Sequence, residues 1–207
     1  MRRVFSPPGA DDLIQLLRAW RFWVLGAIVG ALAGAALFYV VPPPYRARAT
    51  VLVDFHLEQA WPENTDREQF YYLEREARKL QAVAMSDATL AAVANRVPDV
   101  TIRQMRLGKL QLGQPGYGGW HFYAQDSDAQ KAVSLAAAWA QAFTSQVKSQ
   151  VSGASAGGLE PYITVDAAQT TDIQADRSPG LAAYVLAGAL VLLALAAFGI
   201  LFVDTKT

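Results

Sequence analysis

Charged residues are absent from two long stretches of this chain: Phe22 to Val41, twenty residues, and Leu181 to Val203, twenty-three. At about 1.5 Å of rise per residue they make helices of roughly 30 and 34 Å, enough to cross a ~30 Å hydrocarbon core. A helix of that length buried in a soluble protein keeps a polar side, and neither stretch has one. The pattern predicts two transmembrane helices, residues 22–41 and 179–203, flanking a single domain of 137 residues, 42–178. An N-terminal segment, 1–21, and a tail, 204–207, complete the division.

Between the spans the periodicity changes. Pro42-Pro43-Pro44 ends the first helix, since proline cannot continue it. From Arg46 to Phe55 the chain alternates: Ala47, Ala49, Val51, Val53 and Phe55 on one face, Arg46, Arg48, Thr50, Leu52 and Asp54 on the other. That period of two predicts a strand. A turn at Trp61-Pro62-Glu63-Asn64 leads to Thr65-x-x-Glu68, a capping-box pattern, and a helix with Phe70, Leu73, Ala77, Leu80 and Ala84 inward. Ser86 opens a second helix with Leu90, Val93 and Val97 inward, halted at Pro98, and a third short one spans Ile102 to Leu107. Strands at Lys109 to Leu112 and Trp120 to Ala124 flank a glycine-rich loop. Ser127-x-x-Gln130 opens a long helix to about Val151, with Ala132, Ala136, Trp139, Phe143 and Val147 buried. The stretch Ser152 to Gly158 reads as a flexible connector. Tyr162 to Ala167 is a last strand, followed by a polar run to Pro179. The fold class is α+β, with no internal repeat.

Residues flanking the spans suggest orientation. Asp11 to Trp20 forms an amphipathic helix with Leu13, Leu16, Leu17 and Trp20 on one face and acidic residues at its start, as the helix dipole favours. Trp20 and Trp23 suit the interfacial aromatic belt, and Arg2, Arg3, Arg18 and Arg21 precede the first span. Both termini are therefore expected in the cytoplasm, with the central domain outside: a two-pass protein of the plasma (inner) membrane. The competing reading is a cleaved leader with Ala47-Arg48-Ala49 as its small-residue site, although its apolar region is too long. Gly26, Gly30 and Gly34 recur every fourth residue in the first span, and Ala183 and Ala187 make a weaker version in the second. Such small-residue stripes let helices approach closely in lipid. They form the expected helix-packing interface, within one subunit or between subunits.

Composition narrows the chemistry. Residues 42–178 carry 13 basic and 15 acidic side chains, and the whole chain is formally neutral, so no basic field for nucleic acid exists. Without cysteine, disulfides and thiolate metal sites are excluded. His56 and His121 are the only histidines, too few for a zinc or base–nucleophile constellation by themselves. Glu58, Glu63, Asp66 and Glu68 crowd a helix start, where negative charge is favoured anyway. Gly116, Gly118 and Gly119 lack the Gly-Lys-Ser/Thr of a phosphate loop. The Gly-Tyr-Gly-Gly-Trp sequence around them reads as a hairpin loop, or as aromatics exposed to stack on sugar rings. No catalytic, metal or cofactor-binding residue is assigned, and the chain is not expected to be an enzyme.

Four stretches carry a family resemblance. They are Asp12-Leu13-Ile14-Gln15-Leu16-Leu17 before the first span, and Pro44-Tyr45-Arg46-Ala47-Arg48-Ala49-Thr50-Val51-Leu52-Val53 after it. The others are Trp120 to Ala140, and Ile163-Thr164-Val165-Asp166-Ala167-Ala168 followed by Pro179. Together they resemble the polysaccharide co-polymerase, or chain-length-determinant (Wzz-type), family in its short form. The likeness departs before the second span, where relatives carry several prolines and this chain has Pro179 alone. The resemblance implies a ring-shaped homo-oligomer in membrane lipid, working with a polysaccharide polymerase or export machinery. Its expected role is regulating the chain length or export of a surface polysaccharide: lipopolysaccharide O-antigen, capsule or exopolysaccharide. No kinase domain or tyrosine-rich tail follows Val203, so no kinase activity is expected in this chain. The alternative is a two-span sensory or regulatory subunit modulating a partner such as a separate cytoplasmic tyrosine kinase.

Overall fold

A computed structural model describes residues 18–57, 66–114, 119–152, 159 and 162–203. In chain order the elements are α1 (Trp20–Val40), β1 (Tyr45–Asp54), α2 (Asp66–Ala84), α3 (Asp87–Arg96) and α4 (Ile102–Gln104). Then follow β2 (Leu110–Gly113), β3 (Gly119–Asp126), α5 (Ala129–Ser152), β4 (Thr164–Gln169), β5 (Ala175–Arg177) and α6 (Leu181–Val203). Residues 44–178 form one compact unit, and the segments on either side of them form a second.

The central unit is an antiparallel sheet covered by helices. Strand order is β2-β3-β1-β4, and β5 also pairs with β1, so β1 has a neighbour on each side. Its alternation explains why. Ala47, Ala49, Val51 and Val53 are buried, while Arg48, Leu52 and Asp54 are exposed. A strand apolar on one face only must cover that face, and α5 does so. Leu135, Ala136, Trp139, Ala140, Phe143 and Val147 of α5 are fully buried in the same core as Trp120, Phe122 and Ala124 of β3. The rings interlock: Phe122 meets Trp139 edge-on at 4.8 Å between centroids, and Trp120 stacks on Phe143 at 5.8 Å. Alanines at 47, 49, 132, 136 and 140 leave room for these large rings.

Trp139 also joins the helices. Its indole Nε1–H donates to the carbonyl of Ala84 at 2.8 Å, at the end of α2. Ser86 then caps α3, accepting from the amide of Thr89 at 3.2 Å, and the Thr89 hydroxyl donates to the Val83 carbonyl at 2.7 Å. Leu90, Val93 and Val97 are buried, as their spacing predicts. Thr101 and Gln104 make a reciprocal capping box at α4, which runs into a wider π turn, Met105–Lys109, with Met105 fully buried.

Several expectations need correction. The long helix is capped by Asp128, not Ser127: Asp128 Oδ1 accepts from the amides of Gln130 at 2.7 Å and Lys131 at 3.1 Å. Ser127 donates to Asp126 instead, at 3.2 Å. On α2 the buried side runs through Tyr72, Glu76, Leu80, Val83 and Ala84, while Phe70 is 64% exposed and Leu73 and Ala77 are half-buried. A carboxylate occupies the inward position at Glu76 because Arg75 and Lys79 reach its Oε1 at 2.8 and 2.9 Å. The polar run before the second span contains a strand, β5. The Trp61 turn, the Thr65 cap, Glu58 and Glu63 of the acidic cluster, most of the amphipathic helix at 11–20 and the 153–158 connector lie outside the described residues.

The other unit is a helical hairpin. Gly26 lies against Leu192 and Ala196, Gly30 against Gly188, and Gly34 against Tyr184, so α1 and α6 run antiparallel. Val40 and Leu181 therefore share one end of the hairpin. Both helices are long and apolar enough to cross a membrane. Their other sides are apolar and uncovered: Phe22 is 70% exposed, Leu32 66%, Leu186 63% and Leu190 64%. A soluble core helix would bury such side chains.

Candidate functional site

The seam of the hairpin is built from small residues. A side chain at Gly30 would collide with the Gly188 carbonyl oxygen, and one at Gly34 with that of Tyr184. At Gly26 it would sit 3.0 Å from Ala196 Cβ and 3.1 Å from the Leu192 oxygen. Gly188 makes the reciprocal approach to Gly30 and Gly34. The glycine stripe thus faces the second helix of its own chain. Ala183 and Ala187 are exposed, and Tyr184, Gly188, Leu192 and Ala196 meet the stripe on α6. Near the Val40 end, the Phe38 and Tyr184 rings meet edge-on at 5.6 Å.

A second feature lies on the sheet face away from α5. Arg46, Arg48, Thr50 and Leu52 project there from β1, and His121, Tyr123 and Gln125 from β3, by the alternation of each strand. Thr50 Oγ1 and His121 Nδ1 are 3.1 Å apart. Partial burial, and after it the Arg48 guanidinium, hold His121 below the usual histidine pKa. The Arg46 guanidinium lies over the Tyr123 ring, 4.0 Å from its centroid, and donates to Gln111 Oε1 at 2.9 Å.

Beside these arginines the sheet opens into a cleft of about 670 Å³. Its cause is an interrupted ladder. β5 pairs with β1 from Tyr45 to Ala47 and β4 from Thr50 onward, so the chain leaves this edge after Gln169 and returns at Ala175. The connection turns at Asp172, whose φ of 57° is the left-handed conformation that aspartate tolerates better than most residues. Arg46, Arg48 and Tyr123 line one side. Gln169, Asp172, Gln174, Asp176, Arg177 and Ser178 line the other. Every one of these side chains is polar. No sequence periodicity marks this cleft; the only signal was two arginines alternating with buried alanines.

The remaining candidates disperse. His56 lies two residues beyond β1 with a φ of 40°; its amide donates to Asp54 Oδ1 at 2.9 Å, and its Nε2 lies 3.1 Å from Thr164 Oγ1. Trp120 is buried against Phe143 and so presents no ring for sugar stacking. Among the described residues no group of three or more His, Cys, Asp or Glu side chains could hold a metal. Asp126 is tied to structure rather than chemistry. Burial pushes its carboxyl up, but the Lys109 ammonium at 2.6 Å, the Asp128 amide and the Ser127 hydroxyl outweigh burial and hold its pKa below the ordinary value. Neither the known protein-family models nor the curated proteins include a match to this chain.

Proposed function

We propose that this chain is a non-enzymatic two-span membrane scaffold that regulates the chain length or export of a surface polysaccharide as a homo-oligomer. The observation that carries the reading is the pairing of an apolar antiparallel hairpin with one α+β domain whose ends meet. Tyr45 and Arg177 are opposite each other across β1 and β5, and the Ser178 amide donates to the Pro44 carbonyl at 3.1 Å. Such a domain is held at both ends by the hairpin, as a scaffold requires. The four sequence stretches resembling chain-length determinants supply the polysaccharide. Arginines before the first span favour cytoplasmic termini and an extracytoplasmic domain in the inner membrane. Ring closure requires heterologous contacts between copies. The glycine stripe is occupied within the chain, so such contacts fall to other surfaces.

Deleting the protein and resolving the cell's surface polysaccharide by length tests this. The scaffold reading expects an altered length distribution with unchanged sugar composition; an unchanged distribution contradicts it. The cleft gives a second reading some support: a ligand-sensing subunit that modulates a separate partner, such as a cytoplasmic kinase. A monomer or dimer in detergent, rather than a large ring, favours that reading.

A further inference from the structure

We propose that the cleft between β1 and the β4–β5 connection binds a segment of a carboxylated polysaccharide. Arg46 and Arg48 stand two residues apart on one strand face, their Cα atoms about 7 Å apart. Two cations rooted on one face favour an anion there. Neither guanidinium makes an ion pair among the described residues. Arg46 is directly opposite Asp176 in the β1–β5 register, yet its guanidinium turns to Gln111 and Tyr123. Its Nε–H is buried without a hydrogen-bond partner. The side chains of Arg48, Asp172 and Asp176 make no hydrogen bond or ion pair among the described residues. Unpaired charges of both signs around one cleft leave donors and acceptors to be satisfied from outside.

The mixture selects the ligand class. Guanidinium groups take carboxylates with two parallel hydrogen bonds. Asp172, Asp176, Gln169 and Gln174 offer acceptors and amides suited to hydroxyl groups. Two carboxylates would repel a phosphate-dense ligand, and a wall with no apolar side chain gives acyl chains nowhere to lie. One singly charged carboxylate per sugar, set among several hydroxyls, describes a uronate-bearing glycan. The cleft itself carries the chemistry, while the identity of the polymer as this protein's client rests on the scaffold reading above.

The test uses the full chain in phosphatidylcholine nanodiscs, titrated calorimetrically with an oligogalacturonate. A neutral maltodextrin of matched length serves as control, and a parallel set of discs contains phosphatidylglycerol. Expected are saturable oligogalacturonate binding, none for maltodextrin, and a loss of about tenfold or more in affinity for Arg48→Gln. Arg48 is exposed, so an unchanged melting curve shows that the variant folds. Arg46→Gln should weaken binding in the same direction. Absence of oligogalacturonate binding, affinity unchanged in both variants, or binding that phosphatidylglycerol abolishes in favour of a lipid headgroup each overturns the assignment. Expressing Arg48→Gln in the deletion strain separates the two readings. If deletion alters polymer length but Arg48→Gln restores it fully, the cleft fails and the scaffold stands. If deletion changes nothing while the oligogalacturonate binds, the scaffold fails and the cleft stands.

Discussion

Arg177 stacks its guanidinium on the Tyr45 ring, 5.1 Å from the centroid, where the last strand of the domain returns to the first. Each is one residue from an end of the 44–178 unit, so their contact closes the domain at its points of entry and exit. A half-buried cation–π pair of this kind contributes on the order of 1 kcal/mol. Arg177→Ala should therefore loosen β5 more than it destabilises the whole. Hydrogen exchange should show faster amides from Ala175 to Ser178, with little change in β3.

Gly30→Leu should break the hairpin seam, because even a Cβ there collides with the Gly188 backbone. Ala183→Leu, at an exposed position, should be tolerated. The cysteine-free chain allows a direct check. A Gly26→Cys, Ala196→Cys pair should form a disulfide readily, and adding Gly30→Leu should suppress it.

Trp139→Phe should separate the indole hydrogen bond from aromatic burial. Phenylalanine keeps the ring against Phe122 but leaves the buried Ala84 carbonyl without its donor, a cost of about 1–3 kcal/mol. Trp139→Ala adds a cavity and should cost about 3–5 kcal/mol. Denaturant unfolding of the two variants measures the difference.

Acid should destabilise the domain in two windows. His121 titrates below its ordinary 6.5 when folded, so stability is full above that value and declines as pH falls towards the folded pKa. Asp126 is held below its ordinary 3.8, so its contribution is present above that value and lost as pH falls through the folded pKa. Melting temperatures across pH should show the upper decline flattened in His121→Gln and the lower one flattened in Asp126→Asn.

Elements with a single clean period were readable from the chain. β1 alternates alanine and valine with polar residues, and α5 repeats apolar residues every three or four positions, so each declares its buried face. Elements stabilised by tertiary contact were not. β5 is three residues, Ala-Asp-Arg, with no apolar alternation, and it forms because Tyr45 and Ala47 offer it a pairing edge. The inward face of α2 was displaced because it passes through Glu76, which amphipathic patterning assigns to solvent and two flanking cations make tolerable. On α6, small residues occur on every side, so spacing alone did not distinguish exposed Ala183 and Ala187 from Gly188 at the seam. The cleft was invisible for a related reason: its walls come from β1, β3 and the β4–β5 connection, which only folding brings together.

Accessibility labelling of single cysteines in intact cells tests the central claim most directly. Ser145→Cys places a thiol on an exposed position of α5, and Lys206→Cys places one in the tail. An extracytoplasmic domain held by two spans predicts that a membrane-impermeant maleimide labels Ser145→Cys without permeabilisation and Lys206→Cys only after it. Labelling of Ser145→Cys only after permeabilisation, or of both thiols in intact cells, would contradict the account.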